Sequence, residues 1–335
     1  MGEVVPLFQD TSETVIVTGA NGYIGAQLCK ALLKHGDNVI ALDLAFQPRH
    51  HYHTQYMTMN YGDWSAMKDT VEKYKVKTLY HVAATSLVEP SMRMPLGYYS
   101  NNVGNMADML RAASHGGLER VVFSSSAAVY GDARGTHGLC SEVTDPDPVN
   151  PYGHTKLIGE QMLWESRRAH NLQYAALRYF NVAGADSVDA DLGQVERATH
   201  VLPKIMEAAR RKEQFTIYGN DYKTPDGTAV RDYVHIEDVV EANILAANYL
   251  KEGGQHSVFN IGSGQGTSVQ EIFDTTCDVL DINITCDGAP RRPGDPPVLV
   301  ADIEHAYKCL KWQPTRNLRQ IIEDANAWYN YQAIK

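Results

Sequence analysis

A tyrosine and a lysine four residues apart are the side chains of this sequence best suited to proton and hydride chemistry. Tyr152 and Lys156 lie in a segment with helical spacing that starts after Pro151, so they share one face of the predicted helix. A free phenol has a pKa of about 10 and is a poor base near neutral pH, but an adjacent ammonium and the positive end of a helix favour the phenolate. The pair predicts a base that takes a hydroxyl proton while hydride leaves the same carbon atom.

Three consecutive serines precede this pair, at the predicted carboxyl end of a strand. Catalytic groups of open α/β sheets collect at that edge, which makes Ser124, Ser125 and Ser126 candidates for contact with a substrate. We expect Ser126 to relay the proton between the substrate oxygen and Tyr152, and the other two to be structural. For any one of the three, a role in a turn or a cap is the alternative.

A glycine-rich loop near the start of the chain has the spacing of a dinucleotide-binding turn. The segment GANGYIG places Gly19, Gly22 and Gly25 between a β-branched run and a helical pattern. Glycine permits a tight turn and a close approach to a pyrophosphate, which the first N–H groups of the helix then bind. Asp43 ends the next predicted strand, where a carboxylate binds the adenosine ribose and repels a 2′-phosphate. This predicts NAD rather than NADP, and Asp63, after a third strand, is a candidate contact of the adenine amine.

The elements that position these groups alternate between strand and helix through the first half of the chain. The predicted strands cover residues 15–18, 39–42, 77–82, 120–124 and 174–179, and the predicted helices cover residues 26–34, 98–113 and 152–168. Such alternation predicts an α/β fold, a Rossmann-type doubly wound parallel sheet with helices on both faces.

After Asn181 the pattern changes to helices separated by segments rich in turn residues. Loops are predicted at residues 183–194, 220–232 and 289–297, helices at 201–211, 239–250, 269–280 and 316–328, and a strand at 258–261. The predicted domains are an N-terminal extension (1–13), an NAD-binding Rossmann domain (14–182, joined by about 233–263) and a smaller α/β lobe for the substrate (183–232 and 264–335).

Composition and charge exclude several other classes of function. The formal net charge of -10 argues against a nucleic-acid-binding surface, which is normally basic. The five cysteines have no C-x-x-C spacing, which argues against a bound metal. No apolar run reaches the roughly 18 residues of a membrane span, and residues 1–13 lack the apolar run of a signal peptide. We expect a cytoplasmic protein that binds neither nucleic acid nor membrane.

Six longer motifs resemble those of one known family. They are GANGYIG, SSSAAVYG, NPYGHTK, LRYFNVAGA, the segment GNDYKTPDGTAVRDYVHIEDV at residues 219–239, and APRRPGD at residues 289–295. Together they resemble the extended short-chain dehydrogenases/reductases, and most closely the UDP-glucose (UDP-galactose) 4-epimerase family, over nearly the whole chain. The resemblance implies NAD-dependent epimerisation at C4 of a UDP-sugar through a transient 4-keto intermediate, with UDP-glucose and UDP-galactose as the expected pair.

The resemblance also implies a set of contacts with the cofactor. They involve the glycine loop, the ends of several strands and the catalytic helix: Gly19, Asn21, Gly22, Tyr23, Ile24, Gly25, Asp43, Asp63, Trp64, Ala83, Ala84, Asn101, Ser124, Tyr152, Lys156 and Tyr179. Two positions depart from the family pattern: Leu44 replaces an asparagine that commonly follows the ribose aspartate, and Ser86 replaces a lysine of some members. The segment between Asp43 and Asp63 is also shorter than usual.

Two arginines support a substrate with a diphosphate independently of the resemblance. Arg231 and Arg292 lie in separate loops of an acidic protein, and two guanidinium groups can clamp phosphate oxygens in bidentate fashion. Surface ion pairing is the alternative, and Arg291 competes with Arg292, which the family pattern favours. The resemblance implies that Tyr218 lies beside the uracil and that Phe180 supplies backbone contacts near the sugar. The implied substrate contacts are Ser126, Tyr152, Phe180, Asn181, His200, Val201, Leu202, Tyr218, Arg231, Arg292, Asp295 and Leu299.

Three alternatives to this prediction stay open. Dehydratases of the superfamily carry an acidic pair where this chain has Ser126 and Ala127, so dehydration is not expected, but a 4-epimerase of UDP-pentoses or UDP-glucuronate fits the same residues. Leu299 stands where a large tyrosine excludes N-acetyl sugars in the family, so UDP-N-acetylhexosamines are also candidates. A non-catalytic NAD sensor is the remote alternative. The family further implies a homodimer built on the helices at residues 98–113 and 152–168.

Overall fold

The computed structural model describes residues 13–45, 55–133, 136–194, 200–292 and 295–334. In chain order its strands are β1 (Thr14–Thr18), β2 (Asn38–Asp43), β3 (Gln55–Thr58), β4 (Thr78–His81), β5 (Arg120–Ser126), β6 (Leu139–Cys140), β7 (Gln173–Tyr179), β8 (Asn181–Ala183), β9 (Phe215–Tyr218), β10 (Val230–His235), β11 (Val258–Ile261), β12 (Gly266–Ser268), β13 (Cys286–Ala289) and β14 (Val298–Ala301). Its α-helices are α1 (Tyr23–His35), α2 (Trp64–Tyr74), α3 (Val88–Arg93), α4 (Pro95–Tyr99), α5 (Asn105–His115), α6 (Pro151–His170), α7 (Val201–Arg211), α8 (Ile236–Lys251), α9 (Val269–Leu280), α10 (Glu304–Leu310) and α11 (Leu318–Ile334). None of these described helices is long and apolar enough to cross a membrane.

Parts of two sequence predictions lie outside the described residues. They are residues 1–12 of the predicted N-terminal extension and residues 46–54 of the short segment between Asp43 and Asp63.

Seven parallel strands form the central sheet, in the order β11-β7-β5-β4-β1-β2-β3. The chain runs outward from β1 to β3, then crosses to the other side of β1 and adds β4, β5, β7 and β11. This reversal between β1 and β4 opens a crevice at their carboxyl ends, where doubly wound sheets bind their ligands. The predicted Rossmann-type fold is confirmed.

Side chains of β1 alternate between two apolar cores, one on each face of the sheet. Val15 and Val17 pack with α1, α8 and α10, whereas Ile16 packs with α2, α5 and α6. A parallel strand covered on both faces needs apolar side chains on both faces, which explains the β-branched run in β1. Because helices cover both faces, ligand-binding polar groups are expected at the carboxyl edge.

The segment predicted as one helix over residues 98–113 is interrupted by a π-helical turn. Helix α4 runs into the π turn Ser100–Gly104, and α5 follows directly. The side chain of Asn102 in this turn accepts the N–H of Thr85 (2.9 Å) and donates to the hydroxyl of Thr155 on α6 (3.0 Å). The single-helix prediction is wrong here because apolar periodicity does not register one inserted residue.

The second half of the chain builds smaller sheets and a third apolar core. Strand β10 pairs with β12 in antiparallel fashion and with β8 and β14 in parallel, and β14 also pairs with β6. Strands β9 and β13 form a separate parallel pair. Helices α7, α9 and α11 pack together through the fully buried side chains of Ile205, Ile272 and Ile321.

Two loops predicted from turn residues are shorter in the structure. Strand β10 begins at Val230, within the predicted loop 220–232, and β13 includes Ala289 of the predicted loop 289–297. Both predictions are wrong at these ends, because pairing with β12, β14 and β9 extends the strands into segments whose residue types favour turns.

Candidate active site

The glycine loop between β1 and α1 is a turn in which two glycines have no room for a side chain. Gly19 has a φ of 70°, and a Cβ atom on it would lie 2.8 Å from the Cα of Ala83. A Cβ on Gly25 would lie 2.1 Å from the carbonyl oxygen of Gly19. Helix α1 starts at Tyr23 with no side-chain cap at Gly22. Since the first N–H groups of a helix lack intrahelical acceptors, this loop forms a cradle of the kind that binds a pyrophosphate.

The carboxylate of Asp43 lies beside this cradle. It accepts hydrogen bonds from the backbone N–H groups of Asn21 (2.9 Å) and Leu44 (2.7 Å). The side chain of Asn21 donates to the carbonyl oxygen of Ala45 (2.6 Å), while its own Oδ1 is buried without a partner among the described residues. A glycine cradle, a fixed carboxylate at the end of β2 and an unpaired buried oxygen fit a bound dinucleotide.

Asp63, predicted near the adenine, and Trp64, another predicted cofactor contact, lie at the start of α2. Asp63 caps this helix by accepting the N–H of Ala66 (3.1 Å), and it stands five residues beyond the end of β3. The indole ring of Trp64 lies 5.8 Å from the guanidinium of Arg111, and its N–H has no partner within the described part of the chain. The contacts of both residues with a cofactor stay predictions.

The end of β4 closes the crevice from the other side. The N–H of Ala83 donates to the hydroxyl of Thr18 at the end of β1 (3.2 Å), and Ala84 follows it along the chain. The side chain of Asn101 donates to the hydroxyl of Thr85 (3.1 Å). These bonds tie the predicted contacts on β4 and on the π turn to the glycine loop.

Tyr152 and Ser126 lie beside each other where α6 meets the end of β5, close enough for the Ser126 hydroxyl to favour the phenolate. The side chain of Asn150 caps α6 by accepting the N–H of Gly153 (2.8 Å), which places Tyr152 in the first helical turn. The hydroxyl oxygen of Ser126 accepts the N–H of Ala128 (3.1 Å). That bond leaves the Ser126 hydrogen for the phenol oxygen, so the two hydroxyls can pass a proton.

Lys156 is buried next to this pair, with 3% of its surface exposed. Its ammonium donates to the carbonyl oxygen of Ser124 (2.6 Å) and lies 4.9 Å from the centre of the Phe123 ring. The ammonium is 5.8 Å from the centre of the Tyr152 ring. Burial lowers the pKa of Lys156 to about 7, and the negative charge of Glu160 opposes this change.

Burial also dominates the ionisation of Tyr152. The sequence predicts that the neighbouring ammonium lowers the pKa of this phenol, but burial raises the pKa to about 12, against a smaller effect of the Ser126 hydrogen bond. The predicted lowering of the pKa is wrong, because Lys156 donates to a carbonyl oxygen and not to the phenol. A further positive charge beside the phenol, supplied by a ligand, would favour the phenolate.

Two aromatic residues at the end of β7 are held by bonds within the protein. The hydroxyl of Tyr179 lies between Ser124 Oγ (3.2 Å) and the carboxamide of Asn243 (2.8 Å), and burial raises its pKa to about 12. The N–H of Phe180 donates to the carbonyl oxygen of Ile261 (3.0 Å). The Phe180 N–H is thus held within the fold, and the backbone contacts that the resemblance implies for this residue stay a prediction.

Arg231 is largely buried and is bound to the loop before β14. Its guanidinium donates to the carboxylate of Asp295 and to the carbonyl oxygens of Pro296 (2.7 Å) and Val230 (2.6 Å). Arg231 and Asp295, both predicted to bind the substrate, are thus paired with each other. Only 9% of the surface of Arg231 is exposed. A phosphate bound here would replace Asp295 as the partner of the guanidinium.

Arg291 and Arg292, adjacent in sequence, have different partners. Arg291 is bound to the carboxylate of Asp221 (2.7 Å). The exposed guanidinium of Arg292 lies 4.2 Å from the centre of the Tyr218 ring, which is also exposed. The structure therefore brings Arg292, and not Arg291, to the aromatic residue predicted beside the uracil.

Most of the other predicted substrate residues line one small cavity. Asn181, His200, Val201 and Leu202 face it together with Tyr233, whose hydroxyl hydrogen-bonds with the side chain of Asn181. His200 directly precedes α7, and its side chain does not cap that helix. Leu202 also belongs to the third apolar core, so part of this cavity is fixed by the packing of α7.

Leu299, the predicted gate residue, connects the arginine side of the site with the catalytic strand. It lies opposite Arg231 in the register of β10 and β14. It packs against an apolar cluster that includes Ala127 and Phe180, the first of which directly follows Ser126. A larger or smaller side chain at position 299 would therefore alter the packing next to Arg231 and next to the end of β5.

An ion cluster around a buried lysine was not found by sequence reasoning. The ammonium of Lys30 on α1 donates to the carboxylates of Asp186, Asp189 (2.6 Å) and Asp191 (3.0 Å). These three carboxylates have the mutual spacing of a metal site, and within the described residues they already share this cationic partner. A lysine inside the apolar stripe of a predicted helix is the signal that could have revealed it.

Helix α1 reaches the same loop with two further side chains. The hydroxyl of Tyr23 donates to the carbonyl oxygen of Gly184 (2.7 Å), and the side-chain amide of Gln27 donates to the carbonyl oxygen of Leu192 (3.0 Å). Ile24 packs against the apolar core. The helix that begins at the glycine cradle thus also holds the loop that leads from β8 towards α7.

Enzymes that combine this sheet with a tyrosine–lysine pair at the edge of β5 transfer hydride with a nicotinamide dinucleotide, and the site places the chain in that class. The chain belongs to the NAD-dependent epimerase/dehydratase family, whose model matches residues 15–262. NAD is accordingly its cofactor, and the glycine cradle with Asp43 is the part of the described structure that fits it.

Its relatives are sugar-nucleotide epimerases of about the same length. The chain is 39% identical over 327 residues to the UDP-glucose 4-epimerase of Lacticaseibacillus casei, covering 94% of this chain and 96% of that protein. The UDP-glucose-4-epimerase of Stenotrophomonas maltophila, solved with NAD and formylated UDP-arabinopyranose, matches with a TM-score of 0.91 and 30% identity, covering 96% and 99% of the two chains. The UDP-Glc/GlcNAc 4-epimerase of Campylobacter jejuni matches with a TM-score of 0.82 and 32% identity, covering 95% and 99%.

Proposed function

We propose that this enzyme interconverts UDP-glucose and UDP-galactose by inverting the sugar at C4. The observation that carries the proposal is the grouping of Ser126, Tyr152 and buried Lys156 at the sheet edge, in a chain that matches UDP-sugar 4-epimerases over nearly its whole length. Ser126 and Ala127 stand where dehydratases have an acidic pair, so the site lacks the acid that would expel a second hydroxyl.

The catalytic edge is arranged to move a proton through two hydroxyl groups. Ser126 receives the proton of the sugar 4-hydroxyl and passes its own to Tyr152, which returns it when the 4-keto sugar is reduced. Bound NAD supplies the hydride chemistry at C4. Lys156 contributes the positive charge that stabilises the phenolate. Because proton and hydride both return to the sugar, the reaction needs no external electron acceptor.

The two arginines hold the diphosphate while the 4-keto sugar presents its other face. Arg231 exchanges the Asp295 carboxylate for phosphate oxygens, and Arg292 moves from its stacked position over Tyr218. Tyr218 then lies beside the uracil, and Asn181 contacts the substrate from the start of β8. Binding through the UDP moiety leaves the sugar able to turn.

The test is an assay of the purified enzyme with UDP-galactose and with no added NAD. We expect UDP-glucose to accumulate to an equilibrium mixture, with the near-ultraviolet absorbance of reduced nicotinamide appearing during turnover. A UDP-sugar panel with product separation identifies the preferred pair. The proposal is wrong if product forms only with a stoichiometric external electron acceptor, or if the sugar loses water.

Leu299 supports UDP-N-acetylhexosamines as additional substrates. The side chain is smaller than tyrosine and packs against the apolar cluster that contains Phe180, near the expected place of the sugar. The C. jejuni enzyme, by its name, acts on both UDP-Glc and UDP-GlcNAc. We expect wild-type activity on UDP-N-acetylglucosamine and a selective loss of it in Leu299→Tyr, with activity on UDP-glucose as the control. If Leu299→Tyr loses the same fraction of wild-type activity on UDP-N-acetylglucosamine and on UDP-glucose, this role of Leu299 is contradicted.

A homodimer is proposed on the face formed by α5 and α6. A groove between these helices is lined by apolar side chains that include Leu110, Ile158, Met162 and Trp164, and 49% of Trp164 is exposed. The same two helices of a second copy would cover this groove across a two-fold axis. Light scattering should give the mass of two chains for the wild type and of one chain for Trp164→Glu.

The compartment and the domain division are also proposals. All five cysteines are free thiols, as expected in the reducing cytoplasm. The seven-stranded sheet takes its strands from residues 14–179 and 258–261, which supports an NAD-binding unit made of residues 14–182 and about 233–263.

A further inference from the structure

A buried ion pair lies behind the catalytic edge, in contact with elements that carry the reacting groups. The guanidinium of Arg178 on β7 donates twice to the carboxylate of Glu160 on α6, from Nε to Oε1 (2.9 Å) and from Nη2 to Oε2 (2.7 Å). The two side chains are 5% and 7% exposed. A buried pair costs desolvation energy that an apolar pair would not, so stability alone is a weak reason for it.

We infer that Glu160 and Arg178 are positioning residues for the epimerisation: they hold the serine strand in register with the catalytic helix and keep the ammonium of Lys156 charged. The inference rests on the proposed function, since it assigns a role to residues that touch neither sugar nor cofactor. Two independent sets of observations support its two parts: hydrogen bonds support the first, and the helical spacing and charges around Lys156 support the second.

The first set joins Glu160 to the strand that carries Ser126. The hydroxyl of Ser125 donates to Glu160 Oε1 (2.5 Å). Side chains alternate along a strand, so Ser125 points to α6, while the hydroxyl of Ser124 points to the opposite face, where it meets Tyr179. The residues on either side of Ser125 make the catalytic contacts: the carbonyl oxygen of Ser124 accepts the Lys156 ammonium, and Ser126 lies beside Tyr152. Fixing Ser125 therefore fixes both catalytic contacts at once.

Arg178 anchors the pair to the rest of the sheet. Its Nη1 donates to the hydroxyl of Tyr130 (2.9 Å), which in turn donates to the side chain of Asn260 on β11 (2.7 Å). The guanidinium thereby has partners for all three of its nitrogens, and the carboxylate of Glu160 has three hydrogen bonds. A buried network in which each polar group has a partner favours one geometry, which suits a part that sets the distance between β5 and α6.

The second set concerns charge. Glu160 follows Lys156 by four residues on α6, so the two side chains are neighbours on one helical face. The other titratable groups around Lys156 are Tyr152 on α6, His81 on β4 and, bound to Glu160, Arg178 on β7. Burial lowers the pKa of His81 to about 3, so this ring is neutral. Glu160 is the anion that opposes the effect of burial on Lys156.

The deciding variant is Glu160→Gln, which keeps the shape of the side chain and removes its charge. We expect kcat to fall about 10–100-fold, with KM for the UDP-sugar nearly unchanged, because the loss is one of position and charge at the reacting atoms. The alkaline limb of the kcat–pH profile should move to lower pH by about 1 unit, since without the carboxylate Lys156 loses its proton at lower pH.

Glu304→Gln is the matched control, because it is the same substitution in an exposed pair with a cation four residues away on a helix, Lys308. We expect kcat and the pH profile of this variant to equal those of the wild type. Ser125→Ala separates the two parts of the role: it loses the strand contact but keeps the charge, so kcat should fall without a shift in pH.

Each result bears on the inference. A Glu160→Gln enzyme with wild-type kcat and pH profile, even at a reduced melting temperature, shows that the pair is only structural. If that variant does not fold, Glu160→Asp and Arg178→Lys keep both charges and alter the geometry; unchanged kcat in both overturns the inference. If the wild-type enzyme is inactive on every UDP-sugar, the proposed function itself is wrong. Failure of the inference and failure of the proposed function therefore give different results.

Discussion

The catalytic side chains at the sheet edge are bound to partners that no substrate displaces, whereas the arginines facing them are bound to groups that a diphosphate must replace. Lys156 donates to a backbone carbonyl oxygen and Ser126 accepts a backbone N–H, both within the fold. Arg231 is bound to Asp295, and Arg292 stacks on exposed Tyr218. The first region is organised before the sugar-nucleotide arrives, and the second completes its geometry on binding.

This difference separates kcat from KM. Interactions already in place act on the transition state and should control kcat, whereas interactions formed on binding hold ground state and transition state alike and should control KM. The predictions below test that division, starting with the largest effect.

Removing the phenol hydroxyl should have the largest effect on kcat. In Tyr152→Phe the proton of the sugar has no acceptor beyond Ser126, so we expect kcat to fall about 10²–10⁴-fold with KM nearly unchanged. Steady-state kinetics on UDP-galactose checks this, with NAD content and melting temperature as controls for a folded, loaded enzyme. A variant that keeps its kcat would place the base elsewhere and remove the distinction between the two regions.

Removing the buried arginine should act mainly on binding. Arg231→Met keeps the length of the stem and loses the charge-assisted hydrogen bonds to phosphate, each worth about 1.5–3 kcal/mol. We expect kcat/KM to fall about 10–100-fold, almost entirely through KM, and inhibition by UDP to weaken in parallel. If the variant has a normal KM and a low kcat, Arg231 belongs functionally with the catalytic side chains at the sheet edge and not with the groups that bind the diphosphate.

The parts of the site that follow local sequence patterns could be predicted from the sequence, whereas the parts that depend on distant segments could not. The glycine loop, the serine strand and the Tyr152–Lys156 spacing follow local rules of period and turn, and the structure places these residues at one crevice. The pKa of Tyr152 could not be predicted, because it depends on burial by segments distant in the chain. The sequence shows an ammonium nearby but not the Ser124 carbonyl oxygen that binds it.

Long-range partners account for most of what sequence reasoning missed. Glu160 lies at helical spacing from Lys156 and could have been found, but its bond to Arg178 joins residues on α6 and β7 that no local pattern relates. The cluster of Lys30 with Asp186 spans 156 positions of the chain. The π turn at Ser100–Gly104 adds one residue to a helix, which periodicity cannot register.

The smallest expected effect gives the sharpest comparison, because two adjacent arginines differ only in their partners. Arg292 lies over Tyr218, at the proposed uracil position, whereas Arg291 is held by Asp221. In Arg292→Ala we expect KM for the UDP-sugar to rise roughly 3–10-fold, a modest change because the side chain is exposed and screened by solvent. The rise should diminish with added salt, since exposed charges are screened within about 10 Å at moderate ionic strength.

Arg291→Ala should leave KM within about 2-fold of the wild type, because it breaks only a surface ion pair. Equal increases in the two variants would mean that the positive potential of the loop, and not the position of one guanidinium, attracts the diphosphate.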